Sequence, residues 1–128
     1  MHTWGGHIKR LYRSEAQHQA ALFEWAAWNR KKYPELKMLH AIPNGGSRHP
    51  AEAANLKRQG VKSGVSDIFL PAPRRGYHGI YIEMKAPKGR LSPVQKEWLE
   101  AVKREGYYAA VCYGADKAIA LLTWYLGT

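Results

Sequence analysis

The chain has 128 residues, of which 45% are hydrophobic and only one is cysteine. This length is typical of one domain with its own core, the aromatic content argues against disorder, and a lone cysteine excludes an internal disulfide framework and a cysteine-based zinc site. Twenty Lys and Arg against ten Asp and Glu give a net charge of +10, which favours a polyanion such as nucleic acid as partner, although a merely soluble basic surface would have the same composition.

The beginning of the sequence predicts a basic arm and a helix. Residues 1–13 are polar and basic with two glycines, which is typical of a flexible N-terminal arm, and the domain proper is expected over residues 14–128. Ser14 is a good N-cap for a helix that continues to about Lys32 and ends before Pro34. No signal sequence precedes it and no apolar run approaches eighteen residues, so we expect a cytoplasmic protein that does not span a membrane.

The rest of the chain alternates strands and helices. Its clearest element is the helix in LSPVQKEWLEAVKREG, where Ser92 is the cap, Pro93 the first helical residue and Gln95 the partner in a capping box. Strands are expected over residues 37–42, 67–70, 80–86 and 107–113, and further helices over 51–59 and 115–126. The inward stripe of the clearest helix is expected to consist of Val94, Trp98, Ala101 and Val102. This mixture of elements predicts an α/β fold around one mixed sheet.

Two acids and a lysine lie on the strands expected over residues 67–70 and 80–86. Side chains alternate along a strand, so Glu83 and Lys85 share one face about 7 Å apart, and Asp67 opens the partner strand of a hairpin. Two neighbouring carboxylates on a half-buried surface repel each other unless a cation lies between them. Mg²⁺ suits this position because it binds carboxylate oxygens and keeps places for water and phosphate. The set predicts phosphodiester hydrolysis.

The alternative is an ordinary solvent-exposed strand face, because Glu-x-Lys is a common tripeptide and Asp67 alone could be a turn residue. The arrangement favours a site: the chain contains only two aspartates, and one of them opens the strand before Glu-x-Lys.

Several other polar residues flank the motif. The residues expected to contact DNA are Asn44, Arg48, Lys62, Ser63, Lys88 and Arg90, with a plain turn as the alternative for the first two. Arg74 and Arg75, at the far end of the hairpin, are expected to be solvated charges. The six histidines show no metal-ligand spacing and are expected to be surface or packing groups. The side chains expected in the core rather than in base stacking are Trp98, Tyr107, Tyr108 and Trp124.

The segments GVKSGVSDIFLP and IYIEMKAP, followed by LSPVQKEWLEAVKREGYYAAVCY, resemble the VRR-NUC domain (virus-type replication-repair nuclease) of the PD-(D/E)XK nuclease superfamily. SEAQHQAALFEWA and IPNGGSR are also similar to that family, so the resemblance spans about residues 14–118. It implies a restriction-endonuclease-like fold, in which helices flank a mixed central sheet. Ser66 is the one departure, since proline is usual before the aspartate.

The resemblance also implies roles for individual residues around a Mg²⁺ or Mn²⁺ ion. Lys85 would position or activate the attacking water, and Gln95 would orient Lys85 or a phosphate. The metal ligands it implies are Asp67, Glu83, the backbone carbonyl of Met84, and Glu15, which would touch the metal or its waters. The helix dipole explains Glu15 equally well, and the capping box explains Gln95.

The activity that the resemblance implies is metal-dependent cleavage of DNA. Stand-alone members of this phage-like size resemble Holliday-junction resolvases, which make paired cuts, so we expect a homodimer acting on four-way junctions. The expected location of the protein is the cytoplasm of a bacterium or of a phage-infected host cell. Two alternatives stay open: a nuclease of the same fold that cuts flaps, nicks or plain duplex, and a non-catalytic DNA-binding module, which predicts a broken acid–acid–lysine set.

Overall fold

The structure, a computed structural model, describes residues 13–43 and 49–127. The elements of these ranges are helix α1 (Glu15–Trp28), a 3-10 helix (Pro34–Met38), strand β1 (His40–Ala41), helix α2 (Pro50–Arg58), strands β2 (Ile68–Leu70) and β3 (Ile80–Lys85), helix α3 (Pro93–Arg104), strand β4 (Tyr108–Tyr113) and helix α4 (Ala115–Leu126). The predicted α/β fold is confirmed. The arm expected over residues 1–13 lies outside the described ranges, except for its last residue. None of the helices in those ranges has the length and apolarity to cross a bilayer.

The four strands form one mixed sheet in the order β1-β2-β3-β4. β1 and β2 are antiparallel, as are β2 and β3, which confirms the expected hairpin, whereas β3 and β4 are parallel. A parallel pair needs a long crossover, and α3 provides it. Ile68 lies opposite Ile82 in the β2–β3 pair, so one step further the same register places Asp67 opposite Glu83.

Side chains cover both faces of the sheet at β3. On one face, α1, α4 and the 3-10 helix close over the main core, whose largest fully buried members are Tyr125, Leu22, Leu36, Ile68, Leu70, Ile80, Ile82, Met84 and Leu122. On the other face, α3 packs over a smaller cluster of Leu99, Val102 and Ala109. Because β3 lies between these layers, Glu83 and Lys85 are 1% and 8% exposed. The alternative of a solvent-exposed Glu-x-Lys face is therefore wrong.

The first helix and the strand after it are shorter than the sequence predicted. α1 ends at Trp28, not Lys32, because the Asn29 side chain donates a hydrogen bond to the carbonyl of Trp25 (2.8 Å) and closes the last turn. Pro34, with its fixed φ, then begins the 3-10 helix. This helix takes up the first two residues of the expected strand over 37–42, and only His40–Ala41 form the strand.

The inward stripe of α3 also differs from the prediction. Leu99 and Val102 are its buried residues, whereas Val94 is 48% exposed. The expected inward position of Val94 is wrong because the first turn of α3 packs its backbone against the loop between α2 and β2. A Cβ at Gly64 would lie 2.6 Å from the carbonyl oxygen of Val94, and Gly64 has a φ of +89°, so the loop needs glycine there.

The two arginines of the hairpin turn are not simply solvated. Arg74 forms an ion pair with Glu35 of the 3-10 helix. Arg75 donates hydrogen bonds to the carbonyls of Trp124 (2.8 Å) and Gly127 (3.2 Å), and its guanidinium lies 4.5 Å from the centre of the Trp124 ring. It therefore binds the last carbonyls of α4, where a cation also complements the helix dipole.

Candidate active site

Asp67 and Glu83 are brought together by the pairing of β2 with β3. The Asp67 Oδ2 atom accepts a hydrogen bond from the backbone N–H of Met84 (3.0 Å), which directs the carboxylate towards the strand that carries Glu83. On its other side, the carbonyl of Asp67 accepts a hydrogen bond from the N–H of Ile42 (2.7 Å). Asp67 is therefore positioned by backbone groups from both flanking strands.

Glu83 is oriented by the first turn of α3. Gln95 Nε2 donates a hydrogen bond to Glu83 Oε2 (3.1 Å), while Gln95 Oε1 accepts one from the N–H of Ser92 (2.9 Å). The capping box and the proposed active-site role of Gln95 are therefore compatible, because each uses a different atom of one amide. The second oxygen, Glu83 Oε1, is buried and has no hydrogen-bond donor among the described residues.

The position of Glu83 makes its ionisation costly. The pKa of Glu83 is raised from the ordinary 4.5 to about 8. Burial is the largest cause, a hydrogen bond and repulsion from Asp67 and repulsion from Glu15 add to the rise, and Lys85 opposes it. Two ionised carboxylates have no proton to share, so a hydrogen bond between Glu83 and Asp67 requires that one of them is protonated.

Lys85 lies between two acids at the end of β3. Its Nζ atom is 3.8 Å from Glu83 Oε2 and 3.8 Å from Glu15 Oε1. The N–H of Gly114, before α4, donates to the carbonyl of Lys85 (2.9 Å). After the lysine the chain turns back tightly, since a Cβ at Gly89 would lie 3.3 Å from Lys85 Cβ. The ammonium group is thus confined beside the carboxylates.

Glu15 is placed by the start of α1. Ser14 caps this helix and forms a complete capping box with Gln17, whose side-chain oxygen accepts from the Ser14 N–H (2.8 Å). The Ser-x-x-Gln spacing that signals this box is present in the sequence, and the prediction used only the serine. As the first helical residue, Glu15 complements the helix dipole, and it also lies beside Lys85; its contact with a metal ion or its waters stays a prediction.

The donor set fits a divalent cation with two protein carboxylates. Within residues 13–43 and 49–127, no group of three or more His, Cys, Asp or Glu side chains is arranged to hold a metal ion. Mg²⁺ characteristically takes one or two carboxylates and completes its shell with water and substrate phosphate. Asp67 and Glu83 supply that pair, and the buried Oε1 without a donor is the oxygen that a cation would satisfy. The carbonyl of Met84 remains the third predicted protein ligand, and Glu15 a predicted ligand through water.

The predicted DNA-contacting residues that the structure describes surround the first turn of α3. Lys62 and Ser63 are exposed in the loop that packs against this turn. Lys88 and Arg90 are exposed in the segment between Lys85 and α3. Asn44 and Arg48 lie outside the described ranges.

One histidine has a structural role that the sequence did not reveal. His18 on α1 is 4% exposed, and its Nδ1 atom accepts a hydrogen bond from the N–H of Ala115 (3.0 Å) at the start of α4. Gly114 provides no side-chain cap for α4, so His18 takes that place. Burial lowers the pKa of His18, nearby Arg13 lowers it further, and Asp116 raises it, which keeps the imidazole neutral as an acceptor requires.

Comparisons with known proteins agree with the α/β fold. The sequence profile of the VRR-NUC domain matches residues 4–116. A solved structure described as a VRR_NUC domain protein is 33% identical to this chain and aligns with a TM-score of 0.76, over 89% of this chain and 88% of the other. No curated protein matches.

Proposed function

Because the chain belongs to the VRR-NUC domain family, a family of nuclease type, we propose that it is a metal-dependent DNA endonuclease that hydrolyses phosphodiester bonds in branched DNA. The observation that carries this proposal is the assembled acid–acid–lysine set. Asp67 and Glu83 face each other across two strands, and Lys85 Nζ lies 3.8 Å from Glu83. A non-catalytic DNA-binding module on this fold would have no need to retain all three residues.

The residues divide the work between cation binding and water activation. Asp67 and Glu83, with the carbonyl of Met84, would hold Mg²⁺ or Mn²⁺. When bound, the cation supplies positive charge that neutralises the phosphate and favours ionisation of water. Lys85 orients the attacking water and stabilises charge that develops on the phosphate oxygens.

Two further residues support this arrangement. Gln95 keeps Glu83 Oε2 in place through a hydrogen bond of 3.1 Å. Glu15 is a second acidic partner of the Lys85 ammonium group, with its Oε1 atom 3.8 Å away.

The proposal is tested by removing the lysine and comparing it with a matched surface lysine. We expect Lys85→Ala and Asp67→Ala to fold and to bind DNA with nearly unchanged affinity at fixed salt, yet to lose cleavage in Mg²⁺. Lys103→Ala is the control, because Lys103 is half-exposed on α3 and pairs only with Glu100 among the described residues (3.5 Å). Cleavage by both site variants at a rate near that of the wild type would refute the assignment.

The branched substrate and the homodimer form the finer part of the proposal. The high positive charge of the chain supports a DNA substrate, and family resemblance supports the four-way junction. A cleavage comparison of a four-way junction, a flap, a nicked duplex and a plain duplex at one salt concentration tests the preference. Light scattering with and without the junction tests the dimer. Faster cleavage of flaps or plain duplex by a monomer would replace this part of the proposal and leave the nuclease assignment intact.

A further inference from the structure

The end of α1 carries the most exposed large apolar side chain of the described residues. Trp28 is 82% exposed, and its ring makes no aromatic or cation–π contact with another residue in the described ranges. A single apolar residue on the surface needs no explanation by itself. The charged residues that surround this indole are what make it informative.

Three consecutive basic residues follow Trp28 in a tight turn. Arg30, Lys31 and Lys32 are all exposed, and none of them forms an ion pair within the part of the chain that the structure describes. The carbonyl of Asn29 accepts a hydrogen bond from the N–H of Tyr33 (2.9 Å), which closes the turn around the three cations. The backbone therefore holds the cluster together before any partner binds.

Acidic neighbours do not neutralise this cluster. Glu35 is paired with Arg74, which leaves the exposed Glu24, one helical turn before Trp28, as the nearest acid along α1. The dipole of α1 favours cations at this end, but it does not account for an exposed indole beside them. We call the four residues Trp28, Arg30, Lys31 and Lys32 the distal patch.

The distal patch and the proposed active site lie at opposite ends of α1. Glu15, the first residue of this helix, has its Oε1 atom 3.8 Å from Lys85 Nζ. α1 has 14 residues, so at about 1.5 Å per residue its two ends are about 20 Å apart along the axis. A DNA duplex advances about 3.4 Å per base pair, so this distance corresponds to about six base pairs.

We propose that the distal patch is a second DNA contact, which binds the sugar–phosphate backbone of a duplex arm about six base pairs from the cut; this inference rests on the proposed nuclease function. Arg30, Lys31 and Lys32 offer the charge that phosphates attract, and the guanidinium can bind a phosphate through two hydrogen bonds. Trp28 offers an apolar surface for the adjoining deoxyribose. Contacts to the backbone carry no sequence information, so the patch would add affinity and a requirement for arm length.

Two other occupants fit the distal patch less well. A second copy of the chain bound about a two-fold axis through the patch would place its cations against those of the first. A helix that lies on a membrane presents several apolar residues on one face, whereas here one tryptophan stands among charged residues. A duplex arm matches both the charge and the distance from the carboxylates.

The test removes charge from the protein and from single phosphates of the DNA. The cut is first mapped with wild-type protein. Binding in Mg²⁺ is then measured in the Lys85→Ala background, with a four-way junction that carries one uncharged methylphosphonate at successive positions from the cut. We expect one or two positions, about six base pairs away, to lower affinity by about 3- to 10-fold. Arg30→Gln with Lys31→Gln should abolish that effect and reduce the slope of log affinity against log salt by about 2.

The matched control is Lys103→Gln with Arg104→Gln, which removes the same net charge from exposed residues at the end of α3. This control should leave both the salt slope and the methylphosphonate effect unchanged. Trp28→Ala should lower affinity by about 2- to 5-fold without changing the slope, because the indole carries no charge. Circular dichroism verifies folding. With Lys85 intact, the distal-patch variants should cleave at the wild-type rate when protein is saturating in single turnovers, since the patch lies far from the reacting phosphate.

A distal-patch variant with the same salt slope and methylphosphonate profile as the control would overturn the inference. So would unchanged DNA binding together with lost binding to vesicles of anionic phospholipid, or with a Trp28→Ala change in oligomeric state by light scattering; these results would assign the patch to a membrane or to a second copy. If the wild type cleaves while the patch shows no effect, only the second contact is wrong. Failure of the wild type to cleave any branched or duplex DNA would instead refute the proposed function.

Discussion

Replacing Glu83 by glutamine should stabilise the metal-free protein at alkaline pH, and this tests the site independently of catalysis. The pKa of Glu83 is raised from an ordinary 4.5 to about 8, mainly by burial and also by Asp67 and Glu15. Between these two values the folded state binds the extra proton, so stability is lost as the pH rises. The pKa values of Glu83 in the folded and unfolded states differ by about 3.5 units, and each unit corresponds to about 1.4 kcal/mol. The free energy of unfolding should therefore fall by roughly 5 kcal/mol once the pH exceeds the folded pKa.

Glutamine has the shape of a protonated glutamate and does not ionise. We therefore expect wild type and Glu83→Gln to have similar free energies of unfolding near pH 5 in EDTA. Their difference should grow towards about 5 kcal/mol above pH 8, with the variant the more stable. Urea unfolding followed by fluorescence of the five tryptophans and by circular dichroism at each pH measures this difference. Excess Mg²⁺ at pH 8 should restore much of the stability of the wild type and little of that of the variant.

Glu97→Gln is the matched control, because Glu97 is an exposed acid on α3. Its pH profile should run parallel to that of the wild type. Parallel profiles for Glu83→Gln as well would refute the reasoning, since they would mean that Glu83 is ionised in the folded protein at no cost.

Three further predictions concern the same site and its supports. Calorimetric titration of Mg²⁺ at pH 7, repeated in buffers of different ionisation enthalpy, should show release of about one proton. The proton is released because the cation displaces it from Glu83. No proton release would contradict the raised pKa of Glu83. Gln95→Glu should keep the α3 capping box but place a like charge beside Glu83, so the pH dependence of cleavage should move to higher pH. Gln17→Glu, in the capping box of α1, is the control and should leave the pH dependence of cleavage unchanged. His18→Ala should lower the free energy of unfolding by about 2 kcal/mol in thermal or urea melts, since the N–H of Ala115 loses its partner and a buried ring is removed; an unchanged melt would show that this bond contributes nothing.

Much of the site could be predicted because its signals are local. The cap, proline and glutamine at the start of α3 lie within four consecutive residues, and each acts on the backbone of that same turn. The alternation of β3 placed Glu83 and Lys85 on one face, and the hairpin placed Asp67 beside them. Such patterns depend on the period of a strand or a helix turn, which neighbouring residues alone determine.

What the tertiary structure decided depends on residues far apart in the sequence. Burial of Glu83 requires that α3 cover one face of β3 while α1 and α4 cover the other, and no local pattern reports the packing of three helices. His18 reaches Ala115 across 97 positions, and Arg75 reaches Gly127 across 52. The sequence by itself determined that Asp67, Glu83 and Lys85 would lie together on paired strands. The packing of distant segments determined the burial and the neighbouring charges that raise the pKa of Glu83.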